Sequence, residues 1–222
     1  MAVLEGGVSA ALMGVGAESF VPAHVRQTPI PYGALGHYRV NHRCALIAAQ
    51  AANSRLFEVR NTHATNLIVP TRLVLKWIQT AAHTAAIEDS LDMFKVTGFS
   101  VVDTTNTVTP TASKRRGSMA NPLGGADIRG VTVAGAAAGM TGGTLTKDGG
   151  SFAQLPQWLL LALPTAGVIT PAFLDALDDV NGTHPFVFVQ NEGFIIENRV
   201  LLGAAAGSSL YIDFSWAEVT AF

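Results

Sequence analysis

The sequence predicts an all-β protein: an antiparallel sandwich or barrel with an extended N-terminal arm and one short helix. Three observations carry that expectation. Alternating apolar and polar residues, the period of a half-buried strand, recur from Gly36 to Glu218 with turn-forming residues between the runs. A single segment carries a helical stripe. The composition, 49% hydrophobic and 14% charged over 222 residues, supplies a large core under a thin charged coat. A chain of this size buries roughly 70% of its extended surface, enough to fold without staples.

Residues 1–35 stand apart from the rest. Gly6, Gly7, Gly14 and Gly16 interrupt any helix, and Pro22, Pro29 and Pro31 interrupt any regular ladder. Yet Val3, Leu4, Leu12, Met13, Val15, Phe20 and Val21 are too apolar for a solvated tail. The expectation is an arm lying on a neighbouring subunit, with Val3, Leu4, Leu12, Met13, Phe20 and Val21 as its interaction residues. A buried start of the same domain and plain disorder are the alternatives.

The β domain then spans 36–222. Segments 37–43 and 46–48 are short strands. Segment 55–60 sets Phe57 and Val59 on one face and Glu58 and Arg60 on the other, and Asn61 closes it. The best strand is 66–79, where Leu67, Val69, Leu73, Leu75 and Trp77 share one face and Arg72, Val74, Lys76 and Ile78 the other. Pro70 inside that run implies an edge position or a bulge. Alternation resumes over 91–97 and passes through Gly98 into 99–102. A Thr/Ala/Gly-rich loop insertion follows at about 104–150, with 127–133 as its only convincing strand.

The helix is expected to start at Thr170 or Pro171 and to run over 172–177, with Phe173, Leu174 and Leu177 as its apolar stripe. Asn181-Gly182 is a tight-turn dipeptide. Segment 185–190 reads as a buried strand, turned by Asn191-Glu192-Gly193 into 194–198. The last strand, 209–218, points Leu210, Ile212, Phe214 and Trp216 inward and Tyr211, Asp213 and Ser215 outward. Trp77 and Trp216 are therefore core residues, not the lining of a glycan groove.

The 14 basic and 16 acidic residues give a net charge of −2 and are spread along the chain, Lys114-Arg115-Arg116 excepted. Neither nucleic acid nor a membrane surface is an expected partner. The apolar stretch 158–163 falls far short of the roughly 20 residues a membrane helix needs. Glu5 and Glu18, with no basic residue near them, argue against a signal peptide. Cys44 alone excludes an intrachain disulfide and a cysteine-built metal site.

Catalytic motifs are missing as well. There is no Gly-x-Ser-x-Gly elbow, no Gly-x-Gly-x-x-Gly turn into a helix and no phosphate loop. His24, His37, His42, His63, His83 and His184 include no i, i+4 pair, so structural roles are expected for them. Asp175, Asp178 and Asp179 lack the spacing of a calcium loop. Asn181-Gly182-Thr183 fits a glycosylation sequon, but a hairpin turn is the simpler reading. No catalytic, metal-binding or cofactor-binding residue is expected, and no cofactor. Glu88/Asp89 and Glu192/Glu197 are the carboxylate pairs to test for glycoside hydrolysis.

Two stretches go further. Leu56-Phe57-Glu58-Val59-Arg60-Asn61, followed by the long strand to Trp77, is one. Asn191-Glu192-Gly193-Phe194-Ile195-Ile196-Glu197-Asn198, followed by Tyr211-Ile212-Asp213-Phe214-Ser215-Trp216-Ala217-Glu218-Val219, is the other. Their layout over roughly residues 55–219 resembles tailed-phage virion structural proteins. The resemblance implies a jelly-roll-like β-sandwich and a non-enzymatic role in the virion, as a capsid decoration (cement) protein or related minor head component. It implies as partners other copies of the chain, a trimer by analogy, and the major capsid protein or other virion proteins. The thin charged coat agrees, because a lone subunit would expose apolar patches that closed symmetry buries. The alternatives are a tail or fibre-type adhesin module binding a host-surface glycan and, third, a carbohydrate-active sandwich enzyme.

Overall fold

The computed structural model describes residues 35–84, 86–115, 121–122, 124–160, 172–177, 186–203 and 207–220, with the backbone of 3–4 and 13–14. The chain divides into two compact units, Met1–Ile30 and Pro31–Phe222. In the first, β1 (Val3–Leu4) and β2 (Met13–Gly14) form an antiparallel ladder, with Val3 opposite Gly14 and Leu4 opposite Met13. Of the expected interaction residues, Val3, Leu4 and Met13 thus sit on this ladder, while Leu12, Phe20 and Val21 lie outside the described residues.

The second unit is all-β. Its strands are β3 (Gly36–Ile47), β4 (Arg55–Asn61), β5 (Leu67–Ala81), β6 (Ile87–Val101), β7 (Thr107–Val108) and β8 (Ser113–Lys114). There follow β9 (Ala126–Val131), β10 (Thr144–Lys147), β11 (Ala153–Leu159), β12 (Ala172–Asp175), β13 (Gly193–Asn198) and β14 (Gly207–Val219). One sheet has the order β12-β5-β14-β3-β8; the other has β10-β6-β13-β4-β9-β7, with β11 also paired to β6. Each described pairing between strands is antiparallel. The last two strands occupy the middle of the two sheets. β14 lies between β5 and β3, and β13 between β6 and β4.

The inward faces of both sheets meet in one core that includes Tyr38, Phe57, Leu75, Trp77, Met93, Phe194, Phe214 and Trp216. An aromatic row joins the sheets. Phe194 of β13 meets Phe214 of β14 edge-on at a centroid distance of 5.3 Å, and Phe57 of β4 meets Phe214 at 6.4 Å. Trp216 stacks on Phe214 at 5.4 Å and Tyr38 leans on Trp216 at 5.5 Å. Such pairs add to simple area burial because ring edges are positive and ring faces negative. Trp77 and Trp216 are 0% and 1% exposed, as the alternation of their strands requires.

Four features differ from the sequence expectations. Segments 37–43 and 46–48 are one strand, β3, because β14 pairs with it without interruption from Gly36 to Ile47. In β5 the register slips between Trp216↔Pro70 and Ser215↔Arg72, leaving Thr71 unpaired. That bulge reverses the facing of the strand: Ile68 joins Leu73, Leu75 and Trp77 in the core, while Val69 packs outside with Ala217 and Val219. Pro70, with no N–H to donate, sits at the bulge.

The expected helix over 172–177 is instead strand β12, which pairs Ala172 with Trp77 and Asp175 with Val74. A helix of six residues is marginal in water, and the ladder of β5 offers hydrogen bonds that override its propensity. The expected strand over 185–190 reduces, among the described residues, to an isolated bridge between Phe188 and Ile68. Strands β7, β8, β10 and β11 were not expected as such. β11 pairs with β6 from Leu159↔Ile87 to Ala153↔Met93, and β10, which lies in the Thr/Ala/Gly-rich segment, pairs with β6 from Lys147↔Val96 to Thr144↔Val101.

Close approach fixes one glycine. A side chain at Gly193 would overlap the Val59 carbonyl oxygen of the neighbouring strand. Truncation of either core tryptophan, Trp77→Ala or Trp216→Ala, is expected to cost about 3–5 kcal/mol in chemical denaturation. Gly193→Ala is expected to destabilise without removing any core atom, because the β13–β4 ladder must separate.

Candidate functional site

Glu58 was expected on the polar face of its strand, and it does point away from the core shared by the two sheets. It is nevertheless 0% exposed. The chain leaving β6 folds back over this outer face, and the Asp103 N–H donates to Glu58 Oε1 at 2.7 Å. Asp103 Oδ1 in turn accepts from the Gly143 N–H at 2.6 Å and pairs with Arg55 Nη2 at 3.0 Å. Val96, Phe99, Val102 and Ile195 form a small second core on the same face.

Two carboxylates therefore share one guanidinium in a dry environment. Burial, and then the Asp103 charge, push the Glu58 carboxyl up to about 8. Protonated at neutral pH, Glu58 gains a donor beside two buried oxygens that otherwise lack partners, Glu58 Oε2 and Asp103 Oδ2. Nothing from solvent reaches this pair. Its chemistry is that of a fastener holding the 102–106 and 140–143 segments to the sheet.

The second carboxylate locus is Asp89, one of the expected pair Glu88/Asp89. Asp89 Oδ1 accepts from the Ser90 N–H at 2.8 Å and the Val200 N–H at 3.0 Å, while its Oδ2 is buried without a partner. Burial raises its pKa to about 6 against these hydrogen bonds. Asp89 and Glu88 border a cleft of about 370 Å³ together with Gln154 and Arg199. The Asp89 contacts hold the 199–200 turn against β6, where Arg199 N–H also donates to the Ser90 carbonyl at 2.9 Å.

The other pair is not brought together. Glu192 precedes β13 and accepts from the Val189 N–H at 3.3 Å, while Glu197 lies near the far end of β13 and pairs with Lys147 at 2.7 Å. Five residues of strand put them roughly 16 Å apart.

The histidines are dispersed. His37 Nε2 meets Thr71 Oγ1 at 2.8 Å, and His63 Nδ1 accepts from the Asn66 N–H at 2.9 Å in a turn. His42 is buried with its ring stacked on Phe57 at 6.2 Å. His24 and His184 lie outside the described residues, as do Asp178, Asp179 and Asn181-Gly182. Among the described residues no three His, Cys, Asp or Glu side chains converge as metal ligands. Burial pushes the Cys44 thiol up to about 12, which removes it as a nucleophile.

A third locus lies on the outer face of the β12-β5-β14-β3 sheet. The register places Phe173, Lys76, Tyr211 and Arg43 in one row across the four strands. The neighbouring row contains Asp175, Val74, Asp213 and Asn41. Asp213 is held by Arg39 through both carboxylate oxygens at 2.5 Å, with Arg72 at 3.6 Å. Sequence reasoning assigned Tyr211 and Asp213 to the outer face but left the row invisible, because its members come from four distant segments.

No protein-family model matches the chain, and no curated protein sequence matches it significantly.

Glu58 makes the pH dependence of stability testable. In the unfolded chain a glutamate releases its proton near pH 4.3, whereas the folded protein holds it to about 8. Between those values the folded state binds the extra proton, so stability falls as pH rises through the window. The Tm of the wild type is expected to fall from pH 7 to 8.5, where most of the Asp89 titration is already complete. Glu58→Gln, which keeps an acceptor and supplies a permanent donor, is expected to flatten that slope. An equal slope in the variant would assign the titration to another group.

Proposed function

We propose that the chain is a non-enzymatic structural subunit of a phage particle, a decoration or cement protein that stabilises the shell through subunit contacts. The observation that carries this reading is the strand order. With β7, β8, β9 and β10 set aside, β3-β14-β5-β12 faces β4-β13-β6-β11. In chain order each of the first four of these eight strands pairs with strands from the last four, which we read as a jelly roll, an architecture used by capsid subunits and lectins alike. The resemblance over residues 55–219 points the same way. So does the surface, where Val133, Trp158, Phe173 and Leu201 each stand more than half exposed in a chain with 14% charged residues.

Light scattering and sedimentation of the purified chain test the reading. The expected result is a closed oligomer, a trimer by analogy with jelly-roll virion proteins, that co-sediments with capsids. Removing residues 1–30 is expected to leave a folded β domain that assembles poorly. A stable micromolar monomer with no affinity for capsids would overturn the structural role, and loss of folding on truncation would assign the arm to the core.

A further inference from the structure

Apart from Lys114-Arg115-Arg116 the basic residues are spread along the sequence, yet the fold gathers five of them. On the outer face of the five-stranded sheet stand Arg39 and Arg43 from β3 and Arg72 and Lys76 from β5. Arg115 joins them, its Nη2 3.4 Å from Ser215 Oγ of β14. Five of the chain's 14 Lys and Arg residues therefore share one face, against Asp213 and Asp175. The face is positive in a chain whose net charge is −2.

These cations are not equally engaged. Arg39 and Arg72 are committed to Asp213. Arg43 lies over the Tyr211 ring, 5.5 Å from its centroid, and reaches Ser209 Oγ at 3.5 Å. Neither Arg43 nor Lys76 has an ion-pair partner among the described residues. Lys76 is flanked in register by Phe173 on one side and Tyr211 on the other. Phe173 is 63% exposed and Tyr211 39%. Between them the sheet surface opens into a cleft of about 320 Å³, with Asn41, Val74 and Asp213 also on its wall. That volume is at the lower end for a small-ligand site.

We infer that this cleft binds a carboxylate-bearing sugar. Each part of the row has a use in that ligand. The apolar C–H face of a pyranose ring covers the exposed aromatic surface of Phe173 or Tyr211. The sugar carboxylate takes the unpaired charges of Lys76 and Arg43. Asn41 and Asp213 accept from ring hydroxyls, and Asp213 is fixed for that purpose by its two arginines.

Other occupants fit less of the row. A second copy of the chain, brought in by a two-fold axis, would set this positive face against itself. A nucleic-acid backbone would meet the carboxylates of Asp213 and Asp175 and would leave the hydroxyl acceptors unused. A neutral sugar would leave both unpaired cations without a counter-charge. The inference does not rest on the particle role, since binding and assembly are read by separate measurements.

The test is calorimetric titration of the full chain with galacturonic acid hexamer and with 3′-sialyllactose, alongside cellohexaose and an oligothymidylate. Saturable binding of at least one acidic sugar is expected, weakening as salt is raised. Lys76→Ala and Phe173→Ala, both at exposed positions, are each expected to weaken it roughly tenfold or more while Tm is unchanged. The proposal is overturned if neither acidic sugar binds at millimolar concentration, or if cellohexaose or the oligothymidylate binds as tightly. It is equally overturned if Lys76→Ala binds like the wild type.

Discussion

The contact between Phe194 and Phe214 is the joint on which the second unit depends. Each ring comes from the central strand of its own sheet, and their edge-to-face approach at 5.3 Å ties the middle of one sheet to the middle of the other. Around that joint Phe57, Phe188 and Trp216 complete a continuous aromatic layer. Because β13 and β14 are the last strands in the chain, neither sheet is continuous until they are in place. Without β14, β5 and β3 are unpaired to each other, and without β13, so are β6 and β4. Long-range pairing of this kind makes folding slow and leaves strand edges open until late. The thin charged coat of the chain raises the importance of closing them.

Polar groups secure what the aromatic layer cannot reach. The segments after β6 and before β10 carry few large apolar side chains, so they are fastened by Asp103, which serves Glu58, Arg55 and the Gly143 N–H together. Just before β4, buried Ser54 lies between Gln50 and Asn198, and Asn198 also donates to the Ala51 and Val200 carbonyls at 3.0 and 2.8 Å. Burying charged and polar groups is costly unless every member is satisfied. A protonated Glu58 meets that condition where a second carboxylate anion would not. The raised pKa is thus a consequence first of burying Glu58 under a glycine- and threonine-rich cover, and then of setting the Asp103 charge beside it.

What could be read in the sequence was what a strand's own alternation determines. Leu210, Ile212, Phe214 and Trp216 announce their facing, and all four are buried. What depends on a distant partner could not be read. The bulge at Thr71 is visible only against β14, so the facing of Leu67 and Val69 relative to Trp77 came out reversed. Residues 172–175 have a helical stripe, and only the open edge of β5 makes them a strand. Glu58 looks like a solvent-facing residue until a segment some forty positions later covers it. Pro70 was the exception, a local signal for an edge position or a bulge, of which the register shows the bulge, because its missing N–H is a property of the residue itself.

The same limit explains why the basic face went unseen, and it bears on how subunits could meet. Arg39, Arg43, Arg72 and Lys76 are separated by acids and apolar residues in sequence and become neighbours only through the pairings of β3 and β5 with β14. A surface with five cations and two acids opposes a two-fold contact with its own copy, so an oligomer of this chain would be built on other parts of the β domain. Val133, Trp158 and Leu201 are exposed, and none belongs to a strand of the basic sheet. Trp158 lies on β11 of the opposite sheet, while Val133 and Leu201 follow β9 and β13. Val133, Trp158 and Leu201 are therefore carried by different elements from the charged face, whereas Phe173, on β12, belongs to it. An oligomer built on those three residues would leave the basic face free of subunit contacts, and weak binding at each copy of that face would multiply into avidity.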